Sequence, residues 1–183
     1  MAWPDDAVER WITVHRTPRM VEVARVATWA GDSRVVGAVA VVVGVALAWR
    51  ARRWQPLALA VGGWLAVEAG ARILKLVVDR RRPPVRDAIV VLANGSLPAA
   101  HVSRAAFAVV AMAVALPRSW RRRFVPPAVA LVAAVGWSRL VLGSHWLTDT
   151  LVAWPLGMLA AWPVARAERG RIAAGAVRRS APW

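Results

Sequence analysis

The chain has 183 residues, of which 58% are hydrophobic, and a mean hydropathy of +0.45. That is one domain by length and too apolar for an ordinary soluble one, so a bilayer protein is expected. Cysteine is absent, which excludes disulfides and thiolate metal sites and leaves the redox compartment open. The net charge of +15 is concentrated in short joints between apolar runs, a placement that argues for a membrane and against a nucleic-acid partner.

Residues 1–17, beginning MAWPDDAVERW, are acidic and amphipathic, without the basic and then apolar order of a cleavable signal. Pro18 to Ala30 reads as a short helix, with Pro18 in its first turn and Gly31-Asp32 closing it. It is either interfacial or the first span of a six-helix bundle. Five apolar segments follow: Val35 to Trp49, Pro56 to Val78, Pro98 to Leu116, Phe124 to Leu142 and Trp146 to Ala165. A span needs about 20 residues, so these predict an all-α integral-membrane bundle of five to six transmembrane helices. The expected organisation is an N-terminal segment (1–17), a transmembrane domain (18–165) and a basic cytoplasmic tail (166–183).

Tracing the connections sorts the charges. Arg50, Arg52, Arg53, Arg118, Arg121, Arg122, Arg123 and five tail arginines fall on one side. By the positive-inside rule that side is cytoplasmic. Arg80, Arg81, Arg82 and Arg86 fall on the other, together with KLVVDRRRP (Lys75 to Pro83), SLPAAH (Ser96 to His101) and SRLVLGSHWLTD (Ser138 to Asp149). These three polar stretches are therefore expected at the extracytoplasmic surface. Trp29, Trp49, Trp54, Trp120, Trp146 and Trp162 lie near segment ends, as an aromatic belt requires, while Trp64 and Trp154 are expected to pack in mid-span.

Charge at membrane depth is costly and rarely idle. Lys75, the single lysine, and Arg82 are two helical turns apart, so one helix face could present both as a phosphate clamp, with Asp79 nearby to offset them. The plainer reading is two basic side chains snorkelling to headgroups. A helix starting at Pro98 leaves the N–H groups of Ala99, Ala100 and His101 aimed outward as an anion site. His101 is then either an interfacial hydrogen-bonder or a participant in the chemistry. His145 and Asp149 are spaced i to i+4. The carboxylate can orient the ring and leave its other nitrogen nucleophilic, or the two can form a plain surface pair. Arg139 adds a third cation. Two histidines and an aspartate could hold zinc, but the neighbouring cations would repel a metal, so no metal and no cofactor are expected.

These stretches resemble the signature of the type-2 phosphatidic-acid phosphatases, the lipid phosphate phosphatases: Lys-x6-Arg-Pro, Pro-Ser-Gly-His and Ser-Arg-x5-His-x3-Asp. Lys75, Arg82 and Pro83 match the first element, and Ser138, Arg139, His145 and Asp149 match the third, all at full spacing. The resemblance covers residues 18 to 165. It implies a membrane phosphatase in which His145 attacks phosphorus, Asp149 orients it, and His101 serves as general acid and then base. Lys75, Arg82 and Arg139 would hold the phosphate oxygens without a metal.

The second element departs from the pattern. Ala99 and Ala100 stand where the family has serine and glycine, so a hydroxyl donor and a close backbone approach are lost from the phosphate-binding turn. Ser96 and Ser103 are out of register to replace the hydroxyl. The expected activity is hydrolysis of a lipid phosphate or diphosphate, with polyprenyl diphosphate carriers, phosphatidic acid and phosphatidylglycerol phosphate as candidates. A bacterial plasma membrane is the expected location. The second reading is an attenuated binder or transporter of lipid phosphates on the same fold.

Overall fold

The computed structural model describes residues 3–84 and 94–180, and Arg86 lies outside them. Seven α-helices are described: α1 (Trp3–His15), α2 (Pro18–Thr28), α3 (Ser33–Ala51), α4 (Gln55–Val78), α5 (Ala100–Ala115), α6 (Arg118–Val141) and α7 (Leu147–Ser180). Among the described residues there is no strand.

Local chemistry sets the helix starts. Thr17 caps α2, its hydroxyl accepting from Met20 N–H at 3.2 Å, with Pro18 at the first position. A short 3-10 turn (Trp29–Gly31) leads to Asp32, whose carboxylate caps α3 through Arg34 N–H at 2.8 Å. The resulting stretch Pro18–Ala51, together with α4 and α6, is long and apolar enough to cross a membrane; α5 is a shorter apolar helix. The protein is a multi-pass membrane protein. Leu65, Ile73 and Leu76 of α4 are exposed, as a lipid-facing surface should be.

Lipid tails are as apolar as leucine, so the helices are held by close packing rather than by escape from water. Phe107 of α5 is fully buried among Val36, Ala40, Leu47, Val67 and Val164. At the crossing of α5 and α7, a Cβ on Gly157 would run into the Ser103 carbonyl oxygen and lie 2.9 Å from Phe107 N. Glycine there lets the two backbones touch. At mid-depth Glu68 of α4 is clasped by Arg104 of α5 at 2.6 and 2.8 Å and by Ser33 of α3 at 2.6 Å. That pairing satisfies charges which would otherwise be expensive where they lie.

Two helix ends and one tryptophan differ from expectation. Helix α6 begins at Arg118, because the basic joint is itself helical, so Pro126 and Pro127 lie in its interior. Helix α7 runs without a break past residue 165 to Ser180, its outer part supported by the Arg171–Glu168 pair at 2.6 Å. Trp146 is not in the aromatic belt. It is 2% exposed and donates its indole N–H to the Arg81 carbonyl at 2.8 Å. By contrast Trp29, Trp49, Trp54 and Trp120 are exposed near helix ends, and Trp162 is exposed within α7, whose continuation past residue 165 leaves it away from any helix end.

Candidate active site

The site gathers at one end of the bundle, where α4 and α6 finish and α5 and α7 begin. Asp79, at φ 41°, ends α4 with its N–H on the Lys75 carbonyl. The chain then turns away, so Lys75 and Arg82 do not share a helix face. They meet because both hold the returning segment 94–96. Lys75 Nζ donates to the Gly95 and Ser96 carbonyls at 2.8 and 3.3 Å. Arg82 donates to the Asn94 carbonyl at 2.9 Å, to Asn94 Oδ1 at 2.9 Å, to the Gly95 carbonyl at 3.1 Å and to the Ser144 carbonyl. Asp79 is exposed and offsets neither cation.

Helix α5 starts two residues after Pro98, with Ala99 as its N-cap. The Ala99 N–H is not free, since it donates to the Asp149 carbonyl at 3.2 Å. Among the described residues, no backbone carbonyl accepts from the Ala100 or His101 N–H, so the anion-binding end of α5 offers two donors rather than three. Ala99 is fully buried. Ser96 donates to the Arg81 carbonyl, and Ser103 is buried without a partner, so neither replaces the missing hydroxyl.

At the end of α6, Gly143 (φ 66°) allows a Schellman closure. Its N–H reaches Leu140 O at 2.9 Å, and Ser144 N–H reaches Arg139 O at 3.1 Å. This turn delivers His145 just before α7. His145 and Asp149 come together through a cap rather than through a shared helix face. Asp149, in the first turn of α7, reaches back to accept from Trp146 N–H at 2.9 Å, the geometry of a capping box. The same oxygen lies 3.5 Å from His145 Nδ1, leaving Nε2 on the far side of the ring.

His145 is 4% exposed. Burial pushes its pKa down to about 4; Asp149 pulls the other way, while Arg139, Lys75 and Arg82 add to the depression. The imidazole is therefore neutral at pH 7. His101 lies within electrostatic reach of His145, Arg139 and Lys75. Arg139 is 3% exposed, donates to Thr28 Oγ1 at 2.9 Å, and keeps a buried Nε without a partner.

Among the described residues, Lys75, Arg82 and Arg139 have no carboxylate partner. Three buried or half-buried cations bonded only to neutral oxygens are a strong attractor for an anion. No group of three or more histidine, aspartate or glutamate side chains among the described residues is arranged to hold a metal ion.

Sequence reasoning left Arg80 without a role. It forms ion pairs with Asp149 and with Asp5 of α1, each at 2.6 Å, and lies over the Trp146 ring at 5.7 Å. The signal that could have found it is the acidic Asp5-Asp6 pair on an otherwise amphipathic helix.

A buried histidine backed by a carboxylate and ringed by cations, at one end of a helical membrane bundle, defines a class that the comparisons identify. The PAP2 superfamily model matches residues 56–173, and the chain belongs to that superfamily. Over 118 residues it is 36% identical to the decaprenylphosphoryl-5-phosphoribose phosphatase of Mycolicibacterium smegmatis. That match covers 63% of this chain and 61% of the relative's length. The fold is shared with the transmembrane PAP2-type phosphatidylglycerolphosphate phosphatase of Bacillus subtilis at a TM-score of 0.77 and 24% identity, over 91% of this chain and 85% of that one. It is also shared with Aquifex aeolicus LpxE at 0.68 and 16% identity, over 91% of this chain and 99% of that one.

Proposed function

We propose that this protein is a membrane phosphatase that removes phosphate from a lipid phosphate or diphosphate through a phosphohistidine. The observation that carries the reading is the neutral, buried His145 set against Asp149 and faced by Lys75, Arg82 and Arg139. His145 Nε2 attacks phosphorus while the bond to the leaving oxygen breaks, and His101 donates the proton that this oxygen takes up. Water then attacks the phosphohistidine, His101 removes its proton, and inorganic phosphate leaves. The three cations and the Ala100 and His101 N–H groups stabilise the charge that gathers on the equatorial oxygens. The M. smegmatis relative, named for a decaprenyl-linked substrate, supports a polyprenyl phosphate over a glycerolipid. The arginine distribution supports an orientation with the site on the extracytoplasmic side, and the bacterial relatives support a bacterial plasma membrane.

A second reading, a binder that holds lipid phosphate without turning it over, is favoured by one feature: Ala99 and Ala100 where the family has serine and glycine. Phosphate release in detergent, with chelator present, separates the two. The panel is a polyprenyl diphosphate, phosphatidic acid and phosphatidylglycerol phosphate. Release that persists in chelator supports the phosphatase, and binding with no release from any of them supports the binder.

A further inference from the structure

We propose that Asp5, on the N-terminal helix α1, is a positioning residue for this reaction, acting through Arg80 on the Asp149–His145 pair. The inference rests on the phosphatase reading above.

The geometry is that of a shared cation. Arg80 Nη1 donates to Asp149 Oδ1 at 2.6 Å and to Thr148 Oγ1 at 2.7 Å, and its Nη2 donates to Asp5 Oδ2 at 2.6 Å. Asp5 is 1% exposed and also accepts from Thr148 N–H at 2.9 Å and Thr148 Oγ1 at 2.7 Å. It thereby caps the first turn of α7 at Thr148, the residue directly before Asp149. Ile12 and Val8 of α1 pack against Val141 and Leu142 at the end of α6, so the helix is seated on both elements that flank His145.

Charge counting gives the consequence. Asp149 alone with Arg80 would be a neutral pair, and His145 would face no net negative charge, only Lys75, Arg82 and Arg139. With Asp5 the trio carries one net negative charge, and part of the Arg80 field is directed away from Asp149. Asp149 is then free to support the positive charge that develops on the His145 ring as phosphorus is attacked. A capping role for α1 alone would not require a buried carboxylate on a guanidinium that already has a carboxylate partner.

The test uses the full chain in detergent micelles, with farnesyl diphosphate or phosphatidic acid, whichever the parent turns over faster. Asp5→Asn keeps the shape and the acceptor oxygen but removes the charge. It should lower kcat about 10-fold with KM within twofold, in the range of coupling inside one hydrogen-bond network. In an Asp149→Asn background the same change should have little further effect, because the residue it acts through is gone. The neighbouring Asp6→Asn should match the parent. Removing the negative charge should also move the acid limb of kcat/KM to lower pH, since His145 then gives up its proton more readily. That limb decides the matter if Asp149→Asn is too slow to measure. Should Asp5→Asn not be recovered folded, Thr148→Val is read instead, with a smaller loss of kcat expected and again none in Asp149→Asn. An unchanged kcat, an unmoved acid limb, or losses that multiply in the double variant would overturn the proposal and leave α1 a structural strap. An inactive parent would overturn both the proposal and the phosphatase reading on which it rests.

Discussion

The two ends of the bundle are both rich in arginine, and the difference between them lies in what the arginines hold. At the end away from the site, Arg50 donates to the Ala115 carbonyl at 2.6 Å, and Arg121 donates to Val114 and Leu116 at 2.8 and 3.1 Å. Three carbonyls at the C-terminal end of α5 are thus satisfied by side chains from other elements. Glu168, 5% exposed, neutralises Arg171 at 2.6 Å and approaches Arg50 at 3.6 Å. At the site end, Lys75, Arg82 and Arg139 are buried or half-buried without a carboxylate, and Asp5 and Asp149 are engaged by Arg80 instead. The first end pairs its buried carboxylate and leaves its other arginines, among them Arg52, Arg53, Arg118, Arg122 and Arg123, exposed to screening solvent. The second is left positive, which costs stability and suits it to receive a phosphate.

The largest effects should come from the site end. His145→Ala is expected to take phosphate release below detection, because no nucleophile remains. Asp149→Asn should leave a remnant, slower by about 100- to 10,000-fold, since it disturbs the orientation of the ring without removing it. Equal loss in the two variants would mean that Asp149 does more than orient. The double change Ala99→Ser with Ala100→Gly should raise turnover about 10- to 1000-fold, as restoring one oxyanion donor allows, and should exceed either single change. No gain on a well-hydrolysed substrate would mean that the buried alanines belong to a different headgroup preference.

The opposite end should respond in the other observable. Glu168→Gln is expected to lower stability in detergent by about 1–3 kcal/mol, the cost of leaving charged donors underpaired, with kcat within twofold of the parent. A large loss of kcat there would break the distinction between the ends.

The smallest expected effect concerns acid. Burial raises the Asp5 pKa, but the Thr148 and Arg80 bonds outweigh it and hold the carboxyl below its usual range. A depressed carboxylate pKa contributes stability above the unfolded value of about 3.9, and that contribution is lost as pH falls through the folded value. The gap in thermal stability between the parent and Asp5→Asn should therefore narrow on acidification from pH 6 to pH 3.5.

Much of this contrast was legible in the chain. The apolar runs and arginine joints located the helices to within a few residues at most ends, and the spacing in Lys75-x6-Arg82-Pro83 and Ser138-Arg139-x5-His145-x3-Asp149 pointed to the residues that gather at the candidate site. What the spacing could not convey was the reason the residues meet. Lys75 and Arg82 are joined through the 94–96 segment, and His145 meets Asp149 through the capping box that starts α7. Both devices depend on where a helix stops, which a periodic pattern leaves loose by a turn. Asp5 was illegible for a different reason. Its partner Thr148 is 143 residues away, so the local Asp5-Asp6 pair could flag a charge worth explaining but not what it meets. Trp146 looked like a belt residue because a position at a helix end says nothing about which way the ring turns.

The most direct test of the account is to trap the intermediate. The enzyme would be quenched within a turnover of a lipid substrate labelled in its phosphate, under alkaline conditions that preserve phosphohistidine, and the labelled peptide mapped. The account predicts label on the peptide carrying His145 and none in His145→Ala. Label on another residue, or turnover by His145→Ala at the parent's rate, would contradict it.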